Sequence, residues 1–74
     1  MEELERVYLK RLYEKASKIS DHYIMGFTFE GRTSEETNSI VHSLEKNGFI
    51  RKVNRYGRNH ISCFVTEKTF ALFE

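Results

Sequence analysis

A helix that has to stop at Gly48 and a hairpin that has to turn at Gly57 constrain this chain more than any other feature of it. Ser34 or Thr33 supplies an N-cap oxygen, and Glu35 and Glu36 follow in the first turn, where negative charge meets the positive end of the helix dipole. Ile40, Val41 and Leu44 recur at helical spacing and face a core, with Thr37 beside them. Asn38, Ser39, His42, Ser43 and Glu45 are left pointing outward. Asn47-Gly48 then ends the helix, because glycine tolerates the positive φ of a C-terminal cap. Phe49-Ile50 opens a strand that runs to about Val53, residues 54–59 turn around Gly57, and residues 60–65 return as a second strand. On the returning strand Ile61, Cys63 and Val65 share the core face, with Ser62 and Phe64 opposite.

Ahead of this unit, residues 2–19 read as one long helix. Leu4, Val7, Tyr8, Leu12, Ala16 and Ile19 recur at helical spacing, and no Gly or Pro interrupts them. Leu9 and Tyr13 widen the apolar face beyond a single buried stripe, which leaves two readings: half-exposed side chains, or a surface that meets a second copy. Ser20-Asp21 signals a stop, since both side chains compete for backbone groups. For residues 22–30 the pattern predicts a short helix or turn at the start and extended chain towards Phe29, where Phe-Thr-Phe favours a strand. Gly31-Arg32-Thr33 makes the connection. At the far end Thr66 caps a final turn or short helix over residues 67–74, whose Phe70, Leu72 and Phe73 pack on the first helix or on its partner.

A chain of 74 residues has room for one domain, residues 1–74, with a core that stabilises it by only about 3–5 kcal/mol, so association with a second copy is a reasonable expectation. Its apolar runs are too short to span a membrane, and the charged start lacks the apolar stretch of a signal peptide, which predicts a cytoplasmic protein. Cys63 is the only cysteine and reads as a small buried hydrophobe. Net charge is +1, yet the distribution is uneven. No acid occurs between Glu45 and Glu67, whereas Lys46, Arg51, Lys52, Arg55 and Arg58 all fall there.

The three histidines and Cys63 match no zinc spacing; His60 and Cys63, three apart on a strand, point to opposite faces. No Ser-His-Asp grouping, phosphate loop or paired-carboxylate motif stands out, so the chain reads as a non-enzyme with no metal and no cofactor.

The helix closing Leu44-Glu-Lys-Asn-Gly48, the strand Phe49-Ile50-Arg51 and the returning Phe64-Val-Thr-Glu-Lys68, taken in order after a long first helix, resemble the winged helix-turn-helix superfamily. The likeness covers most of the chain and is closest to small single-domain regulators and to the DNA-binding portion of MarR-like and PadR-like repressors. It implies an α+β fold, mainly α, with a two-stranded β-hairpin wing. It also implies that the helix from Ser34, third in that arrangement, enters the major groove while the wing lies on the backbone or in the minor groove. Base-facing positions would then be Ser34, Glu35, Asn38, Ser39 and His42, and the wing tip would contribute Arg55, Tyr56 and Arg58.

The residue chemistry is compatible with those roles. Asn makes bidentate contacts with adenine, and Ser and His exchange hydrogen bonds with base edges. Arg55 and Arg58 flank Tyr56-Gly57, so two guanidinium groups project from a tight turn towards phosphates or a narrow minor groove. Arg32 and Lys46 are further candidate phosphate contacts. The resulting expectation is a sequence-specific duplex-DNA-binding regulator, a homodimer through the first helix and the C-terminal aromatics, whose paired half-sites supply affinity. The alternative is a winged helix that serves as a protein-interaction module, with the acidic pair Glu35-Glu36 facing a protein partner.

Overall fold

The computed structural model describes residues 1–74, and its first element, α1 (Glu3–Ala16), occupies the stretch free of Gly and Pro. Tyr8, Leu9, Leu12 and Ala16 are its buried residues, while Leu4 and Val7 lie exposed. The inward face is therefore rotated from the predicted one, with Leu9 wholly in the core. The reason is that α1 packs against the sheet, α2 and α3 together, which takes a wider apolar arc than one neighbour would. Tyr13 is half-buried against Phe70 and Phe73, with ring centroids 5.3 and 5.2 Å away.

Residues 23–28 form the strand β1 (Tyr23–Thr28), entered directly from His22 at φ 58. Of the short helix or turn predicted at the start of residues 22–30 no helix forms, and the extended chain expected towards Phe29 begins already at Tyr23, because Ile24 and Phe27 are buried as rungs of a sheet whose partner strand lies more than thirty residues away. In consequence the helix from Ser34, α2 (Ser34–Lys46), is the second of the chain, and no helix precedes it across a short turn. Thr33 is its N-cap: the Thr33 hydroxyl accepts from the Glu36 N–H at 3.1 Å, and the Thr33 N–H donates to the Glu36 carboxylate at 2.9 Å. Its other end closes as a Schellman turn, with Gly48 at φ 79, the Phe49 N–H donating to Leu44 and the Gly48 N–H donating to Glu45.

From there β2 (Ile50–Tyr56) and β3 (His60–Val65) form the hairpin, followed by α3 (Glu67–Phe73). The first strand is longer than predicted, and the turn is confined to residues 57–59, with Gly57 at φ 75. All pairing is antiparallel in the order β1-β3-β2, so β3 is central. Thus the fold is α+β, three helices and a three-stranded sheet.

Each edge strand carries one extra residue opposite the middle of β3. In β1 the register shifts between Ile24 and Phe27, and in β2 between Arg51 and Asn54, where Lys52 sits at φ 55. Ile24, Phe27, Ile50, Ile61, Cys63 and Val65 pack beneath the helices. No helix covers the opposite face, where Thr28, Arg51, Asn54 and Tyr56 are exposed. The C-terminal aromatics are satisfied within the chain: Phe70 and Phe73 lie on α1, and His22 stacks on Phe70 at 4.3 Å.

Candidate nucleic-acid interface

Side chains alternate along a strand, so an extra residue reverses which face every later side chain takes. The bulge at Lys52 does this to β2. Without it Ile50 would put Val53 and Arg55 on the open face; with it Val53 is half-buried beside the core and Arg55 pairs with inward-facing Ile61. Arg55 consequently turns towards α2. Asn38, Val41, His42 and Glu45 of the helix and Val53 and Arg55 of the strand line one open cleft of about 310 Å³. Positions 38, 42 and 45 are spaced by four and three, which sets them along one stripe of α2.

The other predicted contacts are scattered. Ser34 is exposed at the first turn of α2, Lys46 is exposed in its last turn, and Arg58 is exposed in the hairpin turn. Ser39 lies on a different side of the helix, in a small hollow with Glu2, Glu5 and Glu36. Arg32 is half-buried: its Nε donates to Tyr8 Oη at 3.2 Å, and its guanidinium pairs with Glu36 at 3.5 Å. Tyr8 Oη in turn donates to the Glu30 carbonyl, so Arg32 ties the loop before α2 to α1. This is the chain's one ion pair, and the hairpin cations are all unpaired.

Tyr56, next to Arg55 in sequence, faces away from α2. It pairs with His60, and its hydroxyl accepts from Ser62 Oγ at 3.3 Å. Tyr23 Oη lies 3.1 Å from the same Ser62 Oγ and accepts from Asn54 at 3.5 Å. Sequence reading overlooked Tyr23, Asn54 and Ser62 as a group. Their signal was the alternation of β3, which sets Ser62 opposite its core residues, but joining them required the register of both neighbours. A larger hollow, about 580 Å³, sits at the other end of the hairpin, where Arg51, Phe64 and Lys68 meet Glu45 and Glu67.

Two groups have shifted acidities. Burial, and secondarily the charge of Glu45, pushes the Cys63 thiol up to about 12, which makes it an inert core residue at neutral pH. The Thr33 backbone N–H, then the Thr33 side chain and the Arg32 guanidinium, hold the Glu36 carboxyl below its ordinary value. Glu36 thus remains charged at neutral pH.

Acidic side chains are confined to one layer. The three strands and the hairpin turn carry Arg51, Lys52, Arg55 and Arg58 and not one acid, so all eleven acids lie in the helices and their connections. An acid-free sheet beside a polar helix edge is chemically suited to a polyanion. No family model, no curated protein and no solved structure matches this chain.

Proposed function

We propose that this protein is a winged-helix regulator that binds double-stranded DNA, with the outer stripe of α2 in the major groove and the basic hairpin on the backbone or in the minor groove. The observation that carries the reading is the cleft in which Asn38 and His42, chemically able to read base edges, line the same space as the unpaired Arg55. Arg58 at the turn and Lys46 at the helix end extend the cationic rim on either side. Arg32 contributes by holding the loop before α2, since its guanidinium is already engaged. Ser39, among carboxylates, is the weakest of the base-facing candidates.

A homodimer through the first helix and the C-terminal segment fits this function, because half-sites in tandem multiply the modest affinity of one weakly charged module. Phe70 and Phe73 are occupied within the chain, so the apolar side chains left for such a contact are Leu4 and Val7 of α1 and Leu72 of α3.

Titration into a labelled random duplex at rising salt tests the proposal, since phosphate-driven binding weakens steeply with salt. Arg55→Ala with Arg58→Ala should lower affinity for every sequence and reduce the log–log salt slope by about 2, whereas Asn38→Ala should change preference among sequences by about 1–3 kcal/mol. Glu35, Glu36 and Glu45, all exposed on α2, favour a second reading in which this helix meets a basic protein surface. Absence of duplex binding at low salt would select it.

A further inference from the structure

The outer face of the sheet takes no part in the duplex contact proposed above, yet it is built as an ordered surface. Tyr23, Phe64 and Arg51 stand in register across β1, β3 and β2, and the Arg51 guanidinium lies 4.8 Å from the Phe64 ring centroid. In the middle, Ser62 faces Asn54 and gathers the hydroxyls of Tyr23 and Tyr56. Thr28, His60 and Tyr56 form the far row; His60 Nδ1 is 2.8 Å from Thr28 Oγ1, and its ring is 6.1 Å from that of Tyr56. Gly26 makes room for that imidazole, since a Cβ there would stand 2.9 Å from His60 Nε2.

Three properties of this face narrow its occupant. Its rings are fixed by register and hydrogen bonds before any ligand arrives, so little side-chain entropy is lost on binding. Tyr56 is 52% exposed, and the plane of Arg51 is exposed above Phe64. Finally, Arg51 and Lys52 are exposed on its edge strand and no strand carries an acid, Glu45 and Glu67 bordering only the Arg51–Phe64 end. A second copy of the sheet would bring the same cations against these and be repelled. Planar rings joined by phosphates suit both halves of the surface.

We infer that the outer sheet face binds single-stranded DNA, with bases stacked on Tyr56 and on the Arg51–Phe64 pair and phosphates held by Arg51 and Lys52. This site is separate from the α2 cleft, so one chain carries a duplex face and an unpaired-strand face on opposite sides of a single hairpin.

The test is anisotropy of a labelled twelve-nucleotide oligo(dT) with the full chain, checked by tyrosine emission, since the chain has four Tyr and no Trp. Oligo(dT) should bind and quench that emission. Tyr56→Ala should weaken it by a factor between about 5 and about 150, the range for losing one stacked base, while Tyr56→Phe keeps affinity within about 2-fold. Circular dichroism of both variants verifies the fold. Asn38→Ala with Arg55→Ala should leave oligo(dT) affinity within about 3-fold while lowering duplex affinity measured on the same preparation. The inference is overturned if oligo(dT) does not bind, if Tyr56→Ala leaves its affinity unchanged, or if the α2-face double mutant weakens it as much as it weakens duplex. A tenfold or greater preference for oligo(rU) would also overturn it, in favour of RNA. Duplex binding without oligo(dT) binding would remove this site and spare the duplex reading; the converse would do the opposite.

Discussion

Arg55 and Tyr56 are consecutive residues that serve opposite surfaces. Arg55 shares a cleft with Asn38 and His42, whereas Tyr56 meets Ser62 and His60 on the far side of the sheet. One surface is a polar helix stripe with a single strand cation, bordered by carboxylates; the other is an aromatic array on strands without an acid. Proximity in sequence is a poor guide to shared function in a strand, because the peptide unit turns successive side chains to opposite faces. What decides membership here is the extra residue in β2, since removing that bulge would exchange the roles of Arg55 and Tyr56.

Both surfaces rest on one central strand, and this gives the largest expected effect. Ile61 is wholly buried and pairs with Phe27 on one side and Arg55 on the other. Ile61→Ala should cost about 2–5 kcal/mol, comparable with the entire stability of a domain this small. Urea denaturation should show a chain near half-unfolded, with duplex and oligo(dT) binding failing together. Loss of one activity alone would mean that the two surfaces do not share their support.

A change on the inner side of α2 sharpens the comparison in the opposite direction. The Thr37 hydroxyl is buried without a hydrogen-bond partner, a cost of about 1–3 kcal/mol that valine of nearly the same shape does not incur. Thr37→Val should raise the urea midpoint with an unchanged m-value and leave affinity at both faces unaltered, since the side chain reaches neither. A gain in stability accompanied by altered duplex preference would couple the helix interior to its outer stripe.

How far these surfaces were legible in the sequence follows from the range of the forces involved. The caps of α2 were readable because Thr33 and Glu36, and Leu44 and Phe49, act within a few residues. The core face of β3 was readable because Ile61, Cys63 and Val65 alternate without interruption. By contrast, β1 pairs Tyr23 with Phe64, so its strand character came from a partner far along the chain, and the local pattern left helix and strand both open. The inward turn of α1 depended on three neighbours at once. In β2 strict alternation failed at Lys52, and with it any local means of telling that Arg55 joins Asn38 while Tyr56 joins Tyr23.

That bulge can be tested through its own backbone. Lys52 holds a positive φ that costs a side-chain-bearing residue about 1 kcal/mol and glycine almost nothing. Lys52→Gly and Lys52→Ala remove the same charge, so their difference isolates the conformation. Glycine should be more stable than alanine by about 1 kcal/mol, read by thermal or urea unfolding. Equal stabilities would mean that residue 52 leaves the left-handed region in solution, and the division of β2 between the two surfaces would fail with it.

The smallest effect belongs to the α2 side alone and has a definite sign. Glu36 is exposed, and its carboxyl is held below its ordinary value of 4.5 by the Thr33 backbone N–H, then the Thr33 side chain and Arg32. The folded state therefore binds this proton more weakly than the unfolded chain does, so the carboxylate adds stability above the ordinary value and loses it as pH falls through the lowered one. Glu36→Gln keeps an acceptor for the Thr33 N–H and removes the titration. Melting temperatures of the two proteins should differ most near neutral pH and converge as the pH drops below about 4.5. Outer-face side chains lie on other elements and should register none of this, so an oligo(dT) affinity that follows the same pH difference would show the two surfaces to be linked through the start of α2.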